Sequence, residues 1–168
     1  MQDESTQLVA CIPRLRRYAR ALVGDRVGAD DLVQDTIERG WLKLDSWRRG
    51  TDMRAWLFGI MHNVHVDQLR KPALSTEELG DSTPMPSIKA PQMDRLELRD
   101  MEAALKMLPA AQREILLLVA LEEMTYDEVA RALSIPLGTV MSRLSRAREG
   151  LRALLEGRPV AASLKVVK

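Results

Sequence analysis

Leu8, Cys11, Ile12, Leu15, Tyr18, Ala19 and Leu22 recur in steps of three and four residues. That spacing places them on one face of a helix, which Gly24 stops. A second helix is expected after Gly28, with Asp30 and Asp31 in its first turn against the positive end of the helix dipole. Val33, Ile37, Trp41 and Leu44 would lie along one of its faces. A third starts near Thr51 and Asp52 and carries Met53, Trp56, Leu57, Ile60, Met61, Val64 and Leu69 to a stop at Pro72. No stretch alternates apolar and polar positions as a half-buried strand would.

The pattern then breaks. Residues 71–92, KPALSTEELGDSTPMPSIKAPQ, hold four prolines and a glycine with no apolar period, and read as an extended, mobile linker. Drawn out at roughly 3.3 Å per residue, such a segment reaches about 65 Å, so the bodies it joins could sit far apart on a partner. Four helical stretches follow. Arg95 to Leu108 ends before Pro109, which suits the first position of a helix running through Ile115, Leu116, Val119 and Leu121. Thr125-Tyr-Asp-Glu128 has capping-box spacing and opens a short helix with Val129, Ala130 and Leu133 apolar. A last helix runs from about Leu137 to Leu155. The fold class is therefore all-α: two small helical domains, 1–71 and 94–168, joined by a flexible linker at 72–93.

A short helix, a four-residue turn (Leu133, Ser134, Ile135, Pro136) and a longer helix match a helix-turn-helix. Ala130 would lie at the helix crossing, with Ile135, Val140 and Leu144 plugging the core. Met141, Ser142, Ser145, Arg146 and Glu149 then share the outer face, flanked by Arg143 and Arg148. Short polar side chains beside arginines let a backbone approach base edges while guanidinium groups reach phosphates or guanine O6 and N7.

Charge supports this orientation. The net charge of the 168-residue chain is only +1, but it is segregated. Asp94 to Pro136 holds nine acids and five bases, net −4, whereas Leu137 onward holds seven bases and two acids, net +5. The acidic first helix would stay back from DNA while the arginine-rich second enters the groove.

Other function classes find little in the chain. The apolar run from Ile115 to Leu121 is far shorter than the roughly 20 residues that span a bilayer, and MQDESTQ lacks a signal-peptide pattern, so a cytoplasmic protein is expected. The single cysteine, Cys11, reads as a small buried apolar residue. His62 and His65 are three apart on a helix without a third ligand at matching spacing, which favours an interfacial or solvent-facing pair over a metal site. Glycine-rich phosphate loops, nucleophile elbows and paired catalytic carboxylates are absent, so neither an enzyme, a cofactor nor a small-molecule substrate is expected. A stand-alone regulator binding an operator as a dimer is the alternative class, but no ligand pocket or self-complementary packing is legible. A pure protein-binding adaptor would not need the arginines.

Three blocks carry a family resemblance: ADDLVQDTIERGW (29–41), DMRAWLFGIMHNVHVDQLRK (52–71) and LPAAQREILLLVALEEMTYDEVARALSIPLGTVMSRLSRAREGLR (108–152). With them the chain closely resembles the extracytoplasmic-function group of bacterial RNA polymerase sigma factors, within the sigma-70 family. The resemblance implies that the first domain grips the clamp of the polymerase largest subunit through Asp31, Leu32, Gln34, Asp35 and Glu38. It further implies that the third helix and the loop before it, 45–52, handle the minus-ten promoter element, where opening a duplex needs a pocket for a flipped base. Trp56 and Asn63 match family positions near that pocket, although plain core packing suits Trp56 equally well. Trp47, Arg48 and Arg49 would supply a stacking surface and phosphate partners, with Arg54, Arg70 and Lys71 extending the basic track.

By the same resemblance the linker threads toward the polymerase active-site channel, with Glu77, Glu78 and Asp81 mimicking nucleic acid. The last domain would read the minus-thirty-five element as duplex through Ser142, Arg143, Ser145, Arg146 and Arg148. Implied partners are core RNA polymerase, promoter DNA and an anti-sigma factor, often membrane-anchored. At Met141 many relatives place lysine or arginine; a thioether holds no phosphate but can touch a thymine methyl, which would shift sequence preference or lower affinity slightly.

Overall fold

The computed structural model describes residues 3–71 and 92–157, the side chains of 92–96 excepted. Seven α-helices and one 3-10 turn occur among them, and no strand. Helix α1, Glu4–Val23, ends where its pattern ends: Gly24 adopts φ 84, which an L side chain rarely takes, and its N–H bonds the Arg20 carbonyl.

Helix α2, Arg26–Leu42, begins before the expected start. Asp25 is its N-cap and accepts the Gly28 N–H at 2.6 Å, so Gly28 lies inside the first turn and Asp30 and Asp31 lie beyond it. Its buried face is also turned from the expected one. Ala29, Leu32, Val33, Thr36 and Gly40 are buried, whereas Ile37 is half-buried and Trp41 is 53% exposed. Both stripes have helical spacing. The smaller residues win because α2 packs closely on its neighbours: a Cβ added at Gly40 would lie 2.9 Å from Leu57 Cδ2. Leu44 falls in the 3-10 turn Leu44–Ser46. Asp52 caps α3, Met53–Arg70, accepting the Arg54 N–H at 2.9 Å.

In the second half, α4 spans Gln92–Met107 and α5 spans Ala110–Ala120, with Pro109 at the N-cap, one residue outside the position expected for it. The capping box of α6, Tyr126–Leu133, forms as its spacing requires. Thr125 Oγ1 accepts the Glu128 N–H at 3.2 Å, and Glu128 Oε2 accepts the Thr125 N–H at 2.9 Å. Helix α7 is Leu137–Leu155. The linker acids Glu77, Glu78 and Asp81 lie outside the described residues.

The two halves pack on each other. Buried apolar residues from α1, α2 and α3 form one continuous cluster with those of α5, α6 and α7. Tyr18 meets Phe58 edge-on at 4.8 Å within the first half. Helix α3 lies against α6, and α1 against α5. Arg113 of α5 ties the ends of two other helices together: it donates to the carbonyls of Leu105, Lys106 and Leu108 at 2.7–2.9 Å and to Leu22 at 2.9 Å. Carbonyls at helix C-termini have no intrahelical donor, and a guanidinium fork supplies several at once. Burial lowers the Arg113 pKa from its ordinary value.

Candidate nucleic-acid interface

The helix-turn-helix is built by local rules. Ser134 takes the left-handed conformation at φ 54, and the Ile135 N–H reaches back to the Ala130 carbonyl at 3.0 Å, the long bond of a Schellman turn. Ile135 follows it onto the core, and Pro136 then opens α7. Val140, Leu144 and Ala147 are buried beneath, and Ala130 is half-buried. This fixes the outer face. Met141, at 49%, and Ser142, Ser145, Arg146, Arg148 and Glu149 are exposed, with Arg143 half-buried beside them. Ser142 turns its hydroxyl to the Thr139 carbonyl at 3.2 Å, leaving lone pairs outward. A shallow cleft of about 260 Å³ runs along this helix between Tyr126, Met141, Ser145 and Arg148. The outer face of α7 therefore carries these side chains in solvent.

The residues expected at the minus-ten element are arranged differently. Arg48, Arg49, Asn63, Arg70 and Lys71 are exposed. Arg49 pairs with Glu4 at 2.5 Å, which pins the loop to α1. Trp47, by contrast, is only 7% exposed, with its indole N–H buried and without a partner. It packs in the core and offers no stacking surface, which corrects the expectation for that residue. Trp56 is partly buried against the core, closer to its packing reading. Arg54 is engaged: Nη1 donates to the Glu122 carbonyl at 2.7 Å, and Nη2 meets Asp52 at 3.4 Å.

On α2, Asp31, Gln34, Asp35 and Glu38 are exposed. Leu32 is 0% exposed and belongs to the core, so it is removed from the contact set. Asp35 accepts from Gln68 at 2.9 Å and Arg39 pairs with Asp67 at 3.0 Å, holding α2 in register with α3. Sequence reasoning missed the apolar floor beside these acids. Val33, Ile37 and Trp41 line a groove of about 930 Å³ rimmed by Arg16, Arg20 and Glu38. The signal was present as the Val33–Ile37–Trp41 stripe, read there only as one face of the helix.

The histidines sit at the junction of the halves. His62 Nδ1 lies 2.5 Å from Glu114 Oε1, making this the interfacial arrangement. Burial lowers the His65 pKa from its ordinary value; Glu114 opposes that shift, while His62 and Arg113 add to it. Burial raises the Cys11 thiol pKa, with Asp52 adding to the effect and Arg14 and Arg54 opposing it. No group of three or more potential metal ligands occurs among the described residues.

This architecture has counterparts. Residues 8–62 match the family model described as the Sigma2 domain of PhyR, and residues 98–151 match Sigma-70, region 4. The ECF RNA polymerase sigma factor EcfG of Rhodopseudomonas palustris is 38% identical over 88% of this chain and 82% of its own length. The RNA polymerase sigma-E factor of Streptomyces coelicolor is 36% identical over 88% of this chain and 83% of its own. Among solved structures, the sigma factor RpoE in complex with the anti-sigma factor NepR from Bartonella quintana superposes with a TM-score of 0.74 at 36% identity. That match covers 93% of this chain and 98% of that one. Two helical halves and these relatives together show that the chain belongs to the extracytoplasmic-function sigma factors of RNA polymerase.

Proposed function

We infer that the protein is an alternative sigma factor, which binds core RNA polymerase and directs promoter-specific initiation. The observation that carries this reading is the open α7 face, with Ser142, Ser145, Arg146 and Arg148 on one surface, in a chain whose relatives are sigma factors over most of their length. Arginines on that face reach phosphates and guanine edges of the minus-thirty-five duplex, with half-buried Arg143 at its margin. Asp31, Gln34, Asp35 and Glu38, beside the apolar groove of α2, supply the polymerase contact. Arg48, Arg49, Arg54, Trp56, Asn63, Arg70 and Lys71 serve the minus-ten strand. The proposed domain bounds are 1–71, 72–93 and 94–168.

The chain acts without chemistry of its own and in the cytoplasm; no described helix is long and apolar enough to cross a membrane. An anti-sigma factor is the expected regulator, as in the complexes of similar sigma factors with NepR and with CnrY. Run-off transcription from genomic templates with core polymerase tests the assignment. Transcripts that depend on this protein are expected, and tight binding of a palindromic site by the protein alone would replace this reading with the dimeric regulator. Asp31→Arg is expected to abolish capture of core enzyme in a pull-down.

A further inference from the structure

Helix α7 is divided along its length. From Ala132 to Ser142 no residue carries a charge, and Arg143, Arg146, Arg148 and Arg152 all follow. At the uncharged leading end Leu137 is 39% and Met141 49% exposed, four residues apart and so on one side of the helix. Gly138 between them leaves the backbone open, since a Cβ added there would meet nothing within 4 Å. The same side continues into Ser145 and Arg148, which with Met141 and Tyr126 line the shallow cleft of α7. An exposed thioether thus stands at the start of the helix, ahead of the cations and beside small residues that let a partner come close.

In a helix-turn-helix the leading residues of the second helix reach base edges, while cations hold the phosphates that fix its position. Those edges offer hydrogen-bonding groups and one apolar feature, the 5-methyl group of thymine. Met141 has no donor and only a weak acceptor, so pressing it on the polar groups would strip their hydration without replacing it. Against a methyl group it buries apolar surface instead, and its unbranched chain adjusts to the contact. Resting on the sigma-factor reading above, we propose that Met141, with Leu137 one turn before it, is a specificity-determining residue of α7 that selects a thymine in the upstream promoter duplex by its 5-methyl group. Arg148, farther along the same side, holds a phosphate and sets the register of that contact without reading sequence itself.

Deoxyuridine in place of thymidine removes that methyl group and keeps the base pair. Holoenzyme assembled from core polymerase and the full-length chain is given a cognate promoter in which each upstream thymine, on either strand, is replaced singly, and run-off transcript is measured with holoenzyme limiting. One replacement is expected to lower the transcript about fourfold, the worth of one buried methyl group. Met141→Ala keeps α7 helical, since alanine is the better helix former, and is expected to lower transcription from the native promoter by a similar factor. On that variant the same replacement should have no further effect, whereas Met141→Leu should retain the discrimination. Salt separates the two contacts: Arg148→Ala is expected to flatten the dependence of promoter binding on salt concentration, and Met141→Ala to leave its slope unchanged. An upstream element without thymine, thymines that all tolerate loss of the methyl group, discrimination that survives Met141→Ala, or a changed salt slope in that variant would each overturn the assignment. Absence of any transcript that depends on the chain would instead remove the sigma-factor reading, and this inference with it.

Discussion

On α7 the residues suited to DNA point into solvent, while on α3 and its preceding loop a comparable set is partly consumed. Trp47 is in the core, Trp56 is half there, and Arg54 is bonded to the opposite half. The contrast follows from how each helix is used by the fold. Helix α7 uses one stripe, Val140, Leu144 and Ala147, to seat itself among α4, α5 and α6, and leaves its outer face exposed. Helix α3 is packed by α1 and α2 on one side and by α6 on the other. A helix packed on one side keeps the rest of its surface exposed, whereas a central helix has its polar side chains drawn into contacts with its neighbours.

The contrast can be attacked at several points. The largest effect is expected within α2, where buried and exposed positions alternate over a few residues. Leu32→Ala should cost about 2–5 kcal/mol of stability in urea unfolding, as for other fully buried leucines, while Gln34→Ala should cost almost nothing. A Leu32 loss as small as that of Gln34 would put Leu32 back on the contact surface. Next, Arg146→Ala should weaken promoter use by about 1–3 kcal/mol with an unchanged melting temperature, since its side chain is exposed on α7. Unaltered transcription from a cognate promoter would contradict an open recognition face.

Smaller still, Thr125→Ala removes half of the capping box of α6, the helix that meets both α3 and α7, and should cost about 1 kcal/mol. The smallest effect concerns acidity. Because His65 has a folded pKa below its ordinary value, the unfolded chain takes up that proton first. Its contribution is present above about pH 6.5 and is lost as pH falls below that. Melting temperatures measured from neutral to mildly acidic pH should fall, and His65→Gln should flatten the decline.

Much of the fold was legible because local rules dominate it. The stop at Gly24, the caps at Asp52 and Thr125 and the turn through Ser134 and Ile135 each depend on residues within a few positions of one another. The α7 face was legible for the same reason, as one helix with one buried stripe. What failed depended on distant partners. The face of α2 was misjudged because two stripes fit the helical period, and the distant residues that close on Gly40, Leu8 of α1 and Leu57 of α3, mark which is buried. The start of α2 was placed late because Gly28 looked like a break, although Asp25 caps through its N–H. The commitment of Arg54 to Glu122, 68 residues away, leaves no trace in any local pattern.

Arg113 has a practical consequence for engineering. Its single guanidinium closes the end of α1 through Leu22 and the end of α4 through Leu105, Lys106 and Leu108. The halves are therefore not interchangeable cassettes. A chimera grafting these first three helices onto a foreign C-terminal portion without an arginine at this place would expose the α1 terminus, and should fray there before either portion loses its own core.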